Sequence, residues 1–387
     1  MFYRQLPAWS PLTLGALMGG FRAAWLGGGT TARRELDRLL RALYHPKELY
    51  LTDSGTSALT LALRAVQSAT DAPVALPAYC CYDVATAADG AEISFLLYDL
   101  DPATLSPDLA SLRRAFVGGA RSVVVAHLYG VPVDLAAVSA LASEFGAIVV
   151  EDAAQGSGCE WKGGPAGTHG ALGVLSFGRG KGVTGGSGGA LLVNDEGLLA
   201  AVDLEWQATT GPREPQGSIK GFVLLTAQWL FGRPSLYWMP ASLPFLGLGE
   251  TTYKAPHPVG GISTFAAGVL SRTLLLLPAE VKIRRLNASR LLCQVAGVRP
   301  MSHAPGWDAG WLRLPVVLQH KVDGVLTVSL VRLGVMRGYP RSLADLEGFG
   351  SRRMNELQEF PGARLLVDQL ATIPTHRFVR SAGVPVF

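Results

Sequence analysis

Residues 147–155 read Ala-Ile-Val-Val-Glu-Asp-Ala-Ala-Gln, and residues 176–182 read Ser-Phe-Gly-Arg-Gly-Lys-Gly. The first stretch is a short apolar strand that ends in two acidic residues, and the second is a glycine-rich turn that carries Lys181. Taken alone, Lys181 would be interpreted as a solvated surface group, and Asp152 as a helix cap or an ion-pair partner. Taken together, a lysine amine and a buried carboxylate indicate a site for a ring cofactor that bears an aldehyde.

A third element lies upstream, where the apolar residues 49–51 run into Thr-Asp-Ser-Gly-Thr-Ser at 52–57 and then into the apolar residues 58–63. A strand, a turn of small residues and a helix bring backbone N–H groups together beside the hydroxyls of Thr56 and Ser57, which suits a phosphate. An ordinary Ser/Thr N-cap is the simpler explanation of this turn by itself. The order of the three elements instead predicts a pyridoxal phosphate (PLP) enzyme of fold type I.

These segments resemble the DegT/StrS family of sugar aminotransferases. The family motif Ser-Gly-Thr-x-Ala-Leu is matched at 54–59, and its Val-His-Leu-Tyr-Gly is matched as Ala-His-Leu-Tyr-Gly at 126–130. Glu-Asp-Ala-Ala-Gln is matched in full at 151–155. The pattern Gly-x-x-Gly-x-x-Ser-Phe is matched at 170–177 and is followed by Gly-Gly-Ala at 188–190. The similarity extends from Leu49 to Asp195 and resumes weakly beyond Ile262.

The resemblance implies a role for each matched residue. Lys181 would be the lysine that forms the Schiff base with PLP, and Asp152 would be the partner of the pyridine nitrogen. Gln155 would lie near the ring. The phosphate would be bound by residues of the two small-residue turns, namely Gly55, Thr56, Ser57 and Ser176.

Two departures from the family pattern concern the ring and the substrate. The family places an aromatic residue four positions after a strand-end proline, and this count from Pro77 gives Cys81, with Tyr82 next to it. We expect Tyr82 to stack on the ring, because of its residue type. The family also directs an asparagine and an arginine toward the neighbouring subunit from a stretch that aligns with residues 257–262. That stretch contains neither residue here, so another basic group is expected to close the site, with Arg179 and Arg233 as candidates.

The length and the apolar runs predict an α/β fold with two domains. A chain of 387 residues is too long for one small domain. Apolar runs at 74–76, 93–98, 122–126 and 147–151 alternate with helical patterns, as in a mainly parallel sheet whose functional residues lie at the carboxyl ends of the strands. We therefore expect a large PLP-binding domain at 1–260, with a mainly parallel sheet of the seven-stranded type, and a small α+β domain at 261–387.

Charge, cysteine content and the amino terminus exclude several other classes of protein. The formal net charge is +4 with scattered Lys and Arg, which argues against nucleic-acid binding. The four cysteines show no Cys-x-x-Cys spacing and the histidines show no metal-ligand spacing, so no metal site is predicted. No signal peptide is evident at the amino terminus, and a cytoplasmic enzyme is expected.

The segment from Lys220 to Gly247 is unusually apolar and aromatic. Prolines at 234, 240 and 244 divide it into runs shorter than the roughly 20 residues that span a bilayer. We expect an insertion that packs over the large domain or in a dimer interface. The alternative is a contact with a membrane surface or a lipid substrate.

Together these patterns predict a homodimeric PLP-dependent aminotransferase with shared active sites. By resemblance, the amino donor would be glutamate, and the acceptor would be a keto-sugar, nucleotide-linked, or a related carbonyl compound. A PLP-dependent lyase, dehydratase or carbon–carbon bond-forming enzyme on the same fold is one alternative, although the presence of Lys181 favours transamination over dehydration. A catalytically inactive scaffold or regulatory protein is another, and the intact cofactor residues argue against it.

Overall fold

The structure is a computed structural model, which describes residues 3–209, 219–243, 251–295 and 298–379. Phe245 and the end of the predicted insertion lie outside the described residues. In chain order the strands are β1 (Glu48–Thr52), β2 (Val74–Pro77), β3 (Phe95–Tyr98), β4 (Ser122–Ala126), β5 (Ile148–Asp152), β6 (Glu160–Trp161), β7 (Gly164–Pro165), β8 (Leu172–Ser176), β9 (Gly189–Val193), β10 (Val298–Pro300), β11 (Trp307–Asp308), β12 (Arg313–Leu318), β13 (Met336–Arg337) and β14 (Leu370–Pro374). The helices are α1 (Leu14–Trp25), α2 (Gly29–Tyr44), α3 (Gly55–Thr70), α4 (Tyr82–Ala91), α5 (Leu109–Val117), α6 (Leu135–Glu144), α7 (Leu199–Thr209), α8 (Ile219–Phe231), α9 (Pro234–Ala241), α10 (Thr264–Thr273), α11 (Leu277–Gln294), α12 (Val322–Val325), α13 (Val328–Arg332) and α14 (Pro361–Gln369).

Seven strands form one sheet in the order β1-β9-β8-β5-β4-β2-β3. Strand β9 is antiparallel to both of its neighbours, and the other pairs are parallel. In the centre of the sheet, Asp152 at the end of β5 lies opposite Ala126 of β4 and Val174 of β8. The carboxyl ends of β1, β2, β4, β5 and β8 therefore lie along one edge of the sheet, and the predicted α/β fold with a mainly parallel sheet is confirmed.

The central strands are mostly apolar because helices cover both faces of the sheet. Every residue of β2 and β4 is buried. Helix α3 begins at Gly55, directly after β1, and is buried from Ala58 to Leu63. Its burial fixes the start of the helix, and with it the first backbone N–H groups, at the carboxyl edge of the sheet.

A second sheet lies in the carboxyl-terminal part of the chain, in the order β10-β12-β14-β13, and all of its pairs are antiparallel. Helix α14 packs against β12 and β14, which gives this part an α+β character. Helix α10 packs instead against α1 and α2 at the amino terminus. The predicted boundary between residues 260 and 261 stays a prediction.

Helices α10 and α11 follow each other almost without interruption from Thr264 to Gln294. By length and composition this is the one stretch of the described chain that could cross a membrane. However, 61% of its most apolar 18-residue segment is buried inside the protein. Residues of α10 such as Ala266, Ala267 and Leu270 are completely enclosed. The apolar character of the stretch therefore reflects packing in the core.

The predicted apolar insertion begins with two helices, α8 and α9, and Pro234 is the first residue of the second. One face of α8 packs on the protein, where Leu225 is buried and the ring of Phe222 lies 5.6 Å from that of Phe21. The opposite face exposes Ile219, Val223 and Leu230, with side chains 70%, 56% and 48% exposed. We call these three residues the α8 stripe, and the described chain leaves them uncovered.

Candidate active site

A cavity opens at the carboxyl edge of the large sheet. Its walls come from the ends of β4, β5 and β8, the starts of α3 and α4, and the loops beside them. The lining residues are Gly55, Thr56, Leu59, Cys81, Asp83, Val84, Ala126, His127, Leu128, Asp152, Ala154, Gln155, Ser176 and Lys181. Six of the eight residues predicted to bind the cofactor are among them.

The start of α3 lies at this cavity, with backbone N–H groups that have no partner within the helix. Ser54 caps the helix, and its Oγ accepts the N–H of Ser57 at 3.0 Å. The N–H groups of Gly55 and Thr56 have no acceptor one turn earlier in the helix, and both residues line the cavity. A Cβ at Gly55 would lie 2.6 Å from the Cβ of Ser176, so only glycine allows β8 to end this close to the helix. The arrangement suits an anion bound between the helix and the Ser176 hydroxyl.

Asp152 supplies a buried carboxylate at the end of β5. Its Oδ1 accepts the N–H of Ala154 at 3.0 Å. Burial raises the pKa of Asp152, and the Ala154 hydrogen bond and the charge of Lys181 oppose this rise. A buried carboxylate that receives a single hydrogen bond from the described chain favours a positively charged or N–H partner within the cavity.

Glu151 precedes Asp152 and points to the other face of the strand, as neighbours in a strand do. Its oxygens accept His127 Nε2–H at 2.8 Å and the N–H groups of His169 and Gly170 at 2.9 and 3.0 Å. His127 Nδ1 accepts the N–H of Val133 at 3.1 Å, so its proton resides on Nε2. Glu151 thus holds the ring of His127, which lines the cavity, in a fixed orientation. This arrangement agrees with a structural role for the histidine.

Lys181 lies in the loop that joins β8 to β9. The N–H of Phe177 binds the carbonyl of Gly188 at 2.8 Å, and the N–H of Gly185 binds the carbonyl of Phe177 at 3.0 Å, so the loop closes on itself. The Lys181 carbonyl also accepts the hydroxyl of Ser10. Within the described chain no ion pair joins Lys181 to Asp152, and both residues line the cavity.

Gln155 is held by two aromatic residues, one of which comes from the far end of the chain. Its Oε1 accepts the N–H of Tyr129 at 3.0 Å, and its Nε2–H donates to the hydroxyl of Tyr339 at 2.6 Å. The rings of Tyr129 and Tyr339 stack at 5.7 Å. Tyr339 was not identified from the sequence, and it lies 184 residues from Gln155 in the chain.

Two predicted cofactor residues do not line the cavity. The Oγ of Ser57 lies 3.1 Å from the Ser54 hydroxyl, inside the helix cap. The hydroxyl of Tyr82 accepts the N–H of Arg341 at 2.8 Å, away from the cavity, whereas Cys81 lines it. Cys81 is the N-cap of α4, and Tyr82 is the first residue of that helix. The residue that faces the cavity is therefore Cys81, which matches the family register, and not the aromatic Tyr82. Burial raises the pKa of Cys81 to about 12, which keeps its thiol neutral.

The donors around the cavity fit PLP. The first N–H groups of α3 and the Ser176 hydroxyl suit its phosphate, the buried Asp152 suits its ring nitrogen, and the Lys181 amine suits its aldehyde. Lys162, the nearest lysine before Lys181 in the chain, lies over the ring of Trp161 at 4.4 Å. Among the lysines of the described chain, Lys181 is the one that lines the cavity.

Comparison with known proteins agrees with this geometry. Residues 17–207 match the DegT/DnrJ/EryC1/StrS aminotransferase family. The L-glutamine:2-deoxy-scyllo-inosose aminotransferase of Streptomyces kanamyceticus is 31% identical over 299 residues, which cover 76% of this chain and 62% of that protein. The chain thus spans less than two thirds of the length of this relative.

Solved structures share the fold over nearly the whole chain. The sugar aminotransferase CalS13 from Micromonospora echinospora superposes with a TM-score of 0.74 at 20% identity, covering 97% of this chain and 95% of that one. The E. coli GDP-4-keto-6-deoxy-D-mannose-3-dehydratase, solved with bound hydrated PLP, has a TM-score of 0.71 at 15% identity and covers 97% and 96%. At these identities the likeness concerns the fold, which serves more than one reaction.

Proposed function

Because this chain belongs to the DegT/DnrJ/EryC1/StrS aminotransferase family, we propose that it is a PLP-dependent enzyme that transfers the amino group of an amino acid to a keto-sugar or a related cyclic ketone. The observation that carries the proposal is the placement of Lys181 and Asp152 on one cavity, beside the start of α3. In the overall reaction the donor becomes a 2-oxo acid and the acceptor ketone becomes an amine.

The residues around the cavity would hold PLP at three points. The N–H groups of Gly55 and Thr56 and the hydroxyl of Ser176 bind its phosphate, and Asp152 holds a proton at its ring nitrogen. The Lys181 amine holds the aldehyde end. When bound, PLP supplies a ring that accepts electrons and a carbon that carries the amino group between substrates.

Lys181 would also act as a base and an acid. Its amine would take the proton from the Cα of the donor and would later give a proton to the former carbonyl carbon of the acceptor. The loop between β8 and β9 keeps the lysine close to the reacting carbon because its backbone is tied at Phe177, Gly185 and Ser10. Gln155, fixed by Tyr129 and Tyr339, keeps the ring in place.

The names of the relatives suggest the substrates. The S. kanamyceticus relative is named for L-glutamine and an inosose, a carbocyclic ketone. We extend the donor expected from sequence, glutamate, to glutamate or glutamine, and we retain a keto-sugar, nucleotide-linked or free, or an inosose as the acceptor. The shared fold of a PLP-binding dehydratase keeps dehydration as the second candidate.

Reduction of the holoprotein with borohydride, followed by peptide mapping, tests the proposal. We expect the reduced cofactor on Lys181, and Lys181→Ala should abolish turnover. The amino donor is then found by screening amino acids for conversion of the bound cofactor to pyridoxamine phosphate. A label on Lys162, or loss of label without loss of turnover in Lys181→Ala, would contradict the assignment.

The residue that packs on the cofactor ring is a separate part of the proposal. The position of Cys81 in the cavity supports Cys81 over Tyr82. Cys81→Ala and Tyr82→Leu separate the two, since Leu removes the aromatic face of Tyr82 and keeps an apolar side chain. We expect the affinity for PLP, measured by fluorescence titration, to fall in Cys81→Ala and to stay unchanged in Tyr82→Leu.

We further propose a cytoplasmic homodimer with shared active sites. The uncovered α8 stripe and the exposed residues His257 and Pro258 support contact with a second copy of the chain. Pairing of Gly261 with Thr52 brings the segment that carries them to the end of β1. Contact of the α8 stripe with a membrane surface is the alternative.

A further inference from the structure

Asp83 is the one exposed residue among the described residues that line the cavity. It is the second residue of α4, and Cys81, which also lines the cavity, is the N-cap of that helix. Asp152 is buried and Lys181 is half-buried. Asp83 therefore lies at the opening of the cavity, whereas the groups that suit the cofactor lie deeper.

The carboxylate of Asp83 has most of its hydrogen-bonding capacity unused. Its one side-chain hydrogen bond in the described chain comes from the thiol of Cys81, whose Sγ lies 3.4 Å from Oδ2. Burial, followed by the charge of Asp83, raises the pKa of this thiol to about 12, so the thiol keeps its proton and remains the donor. A thiol is a weak donor, and an ionised carboxylate accepts up to about four hydrogen bonds. Within the described residues no lysine or arginine pairs with Asp83, so its oxygens are open to a ligand.

The position of Asp83 in the first turn of α4 has a structural explanation of its own. The dipole of a helix favours an acidic residue near its amino terminus. This effect stabilises the helix whether or not the side chain borders a cavity. A role in binding therefore has to be separated from the helix dipole by a variant that changes the dipole effect alone.

The charges of the cavity disfavour an anionic acceptor. Lys181 is the one lysine or arginine among the described lining residues, and Asp83 and Asp152 contribute two carboxyl groups. Burial, with a smaller contribution from the charge of Asp83, raises the pKa of Asp152, so the two carboxyl groups lie within electrostatic range of each other. The two arginines expected from sequence to close the site, Arg179 and Arg233, are exposed, and neither lines the cavity. A phosphate group at the opening would therefore meet a like charge.

We propose that Asp83 selects the acceptor by accepting hydrogen bonds from the hydroxyl groups of an uncharged, polyhydroxylated cyclic ketone. The inference rests on the proposed function, and it narrows the acceptor to a ring with free hydroxyls in preference to a nucleotide-linked sugar. Hydroxyl groups suit this carboxylate because hydrogen bonds to an ionised acceptor are about twice as strong as those between neutral groups. The carbonyl of the acceptor enters toward Lys181, and the hydroxyls on the far side of the ring stay at the opening.

Calorimetric titration of the PLP-bound protein tests this role without catalysis. The probe is scyllo-inositol, a ring that carries a hydroxyl on every carbon and has no carbonyl with which to react. We expect Asp83→Ala to weaken binding of scyllo-inositol by about 10-fold or more, because it removes a charged hydrogen-bond acceptor. Asp83→Asn should show a smaller loss, since its amide oxygen still accepts a hydrogen bond but without the charge. Binding of uridine diphosphate glucose should not weaken in either variant.

Asp323→Ala is the matched control variant. Asp323 is likewise an exposed second residue of a helix, α12, and it does not line the cavity. This variant should bind scyllo-inositol as the wild type does, and thermal unfolding compares the stability of all the variants.

Unchanged binding of scyllo-inositol in Asp83→Ala, or an equal loss in Asp323→Ala, would overturn the inference. A wild type that does not bind scyllo-inositol would also overturn it, and binding of uridine diphosphate glucose by that protein would assign the opening to a nucleotide-linked acceptor. The borohydride label on Lys181 does not depend on Asp83. Its absence from the wild type would overturn the proposed function, whereas a label that is present without binding of scyllo-inositol would overturn the role of Asp83 alone.

Discussion

At the scale of single residues, the consecutive carboxylates Glu151 and Asp152 differ in how many hydrogen bonds the protein donates to them. Glu151 receives hydrogen bonds from one side chain and two backbone N–H groups, and these bonds hold its pKa below its usual value in spite of burial. Asp152 receives one backbone bond, and burial raises its pKa. The strand therefore uses one carboxylate for its own structure and leaves the other for a ligand.

We predict that Asp152→Asn retains PLP but slows conversion of the cofactor by the donor by about 100-fold or more, since a neutral amide loses a buried charge pair. The amide oxygen can still accept the N–H of Ala154, so the fold should be preserved. Stopped-flow absorbance measures the rate, and thermal unfolding checks the fold. A near-normal rate would contradict the role of Asp152, and Glu151→Gln should by contrast lower stability.

At the scale of elements, the start of helix α3 serves both stability and binding. Ser54→Ala removes the cap of α3 and should cost about 1 kcal/mol of unfolding free energy. It should also weaken PLP binding, because the N–H groups of Gly55 and Thr56 would no longer be held in place. Asp108→Ala is the matched control, since Asp108 caps α5 in the same way, accepting the N–H of Ser111 at 2.6 Å, and does not line the cavity.

Denaturant unfolding and fluorescence titration of PLP measure the two effects. We expect a similar loss of stability in both variants and a loss of PLP affinity in Ser54→Ala alone. Equal PLP affinities in the two variants would mean that the cap has no part in the site.

The bounds of a strand were predictable where a continuous apolar run coincides with the whole strand. Residues 122–126 form a strand as predicted, whereas the run from Ile93 forms a strand only from Phe95, because the Ile93 N–H still binds Ala88 in the turn after α4. The direction of side chains at a helix start could not be read from sequence, so the preference for Tyr82 over Cys81 does not agree with their placement. The contact between Gln155 and Tyr339 was also not predictable from local sequence patterns, because the two residues lie 184 positions apart in the chain.

At the scale of the whole molecule, the α8 stripe predicts how copies of the protein associate. We expect Val223→Glu to convert a dimer into a monomer in light scattering, because a charge at the centre of an apolar interface would be buried without a partner. Leu204→Glu, on α7 and also exposed, is the matched control and should leave the dimer intact. Sedimentation of the wild type with anionic vesicles, lost in Val223→Glu, would instead support a membrane contact.

A buried histidine joins the two ends of the chain and should make stability depend on pH. His376 donates Nε2–H to the carbonyl of Leu6 at 3.0 Å, and burial lowers its pKa from 6.5 to about 4. The unfolded chain binds this proton near pH 6.5 and the folded protein does not, so stability is complete above pH 6.5 and falls as the pH drops toward 4. The loss should approach about 3 kcal/mol at pH 4.

Denaturant unfolding at several pH values, compared between the wild type and His376→Asn, measures this contribution. The variant should lose less stability between pH 6.5 and 4, because it lacks the buried histidine. The carboxylates titrate alike in both proteins and do not contribute to the difference. Parallel curves for the two proteins would assign the acid sensitivity to other groups.

The hydrogen bond between Gln155 and Tyr339 has a consequence for the order in which the protein is made. Every residue that lines the cavity precedes residue 182, so a ribosome has released all of them long before it reaches Tyr339. Until then the amide of Gln155 lacks the hydroxyl that orients it, and Tyr129 lacks the ring on which it stacks. A nascent chain therefore carries the parts of the site in advance of its final form, and synthesis of the segment that contains Tyr339 completes it.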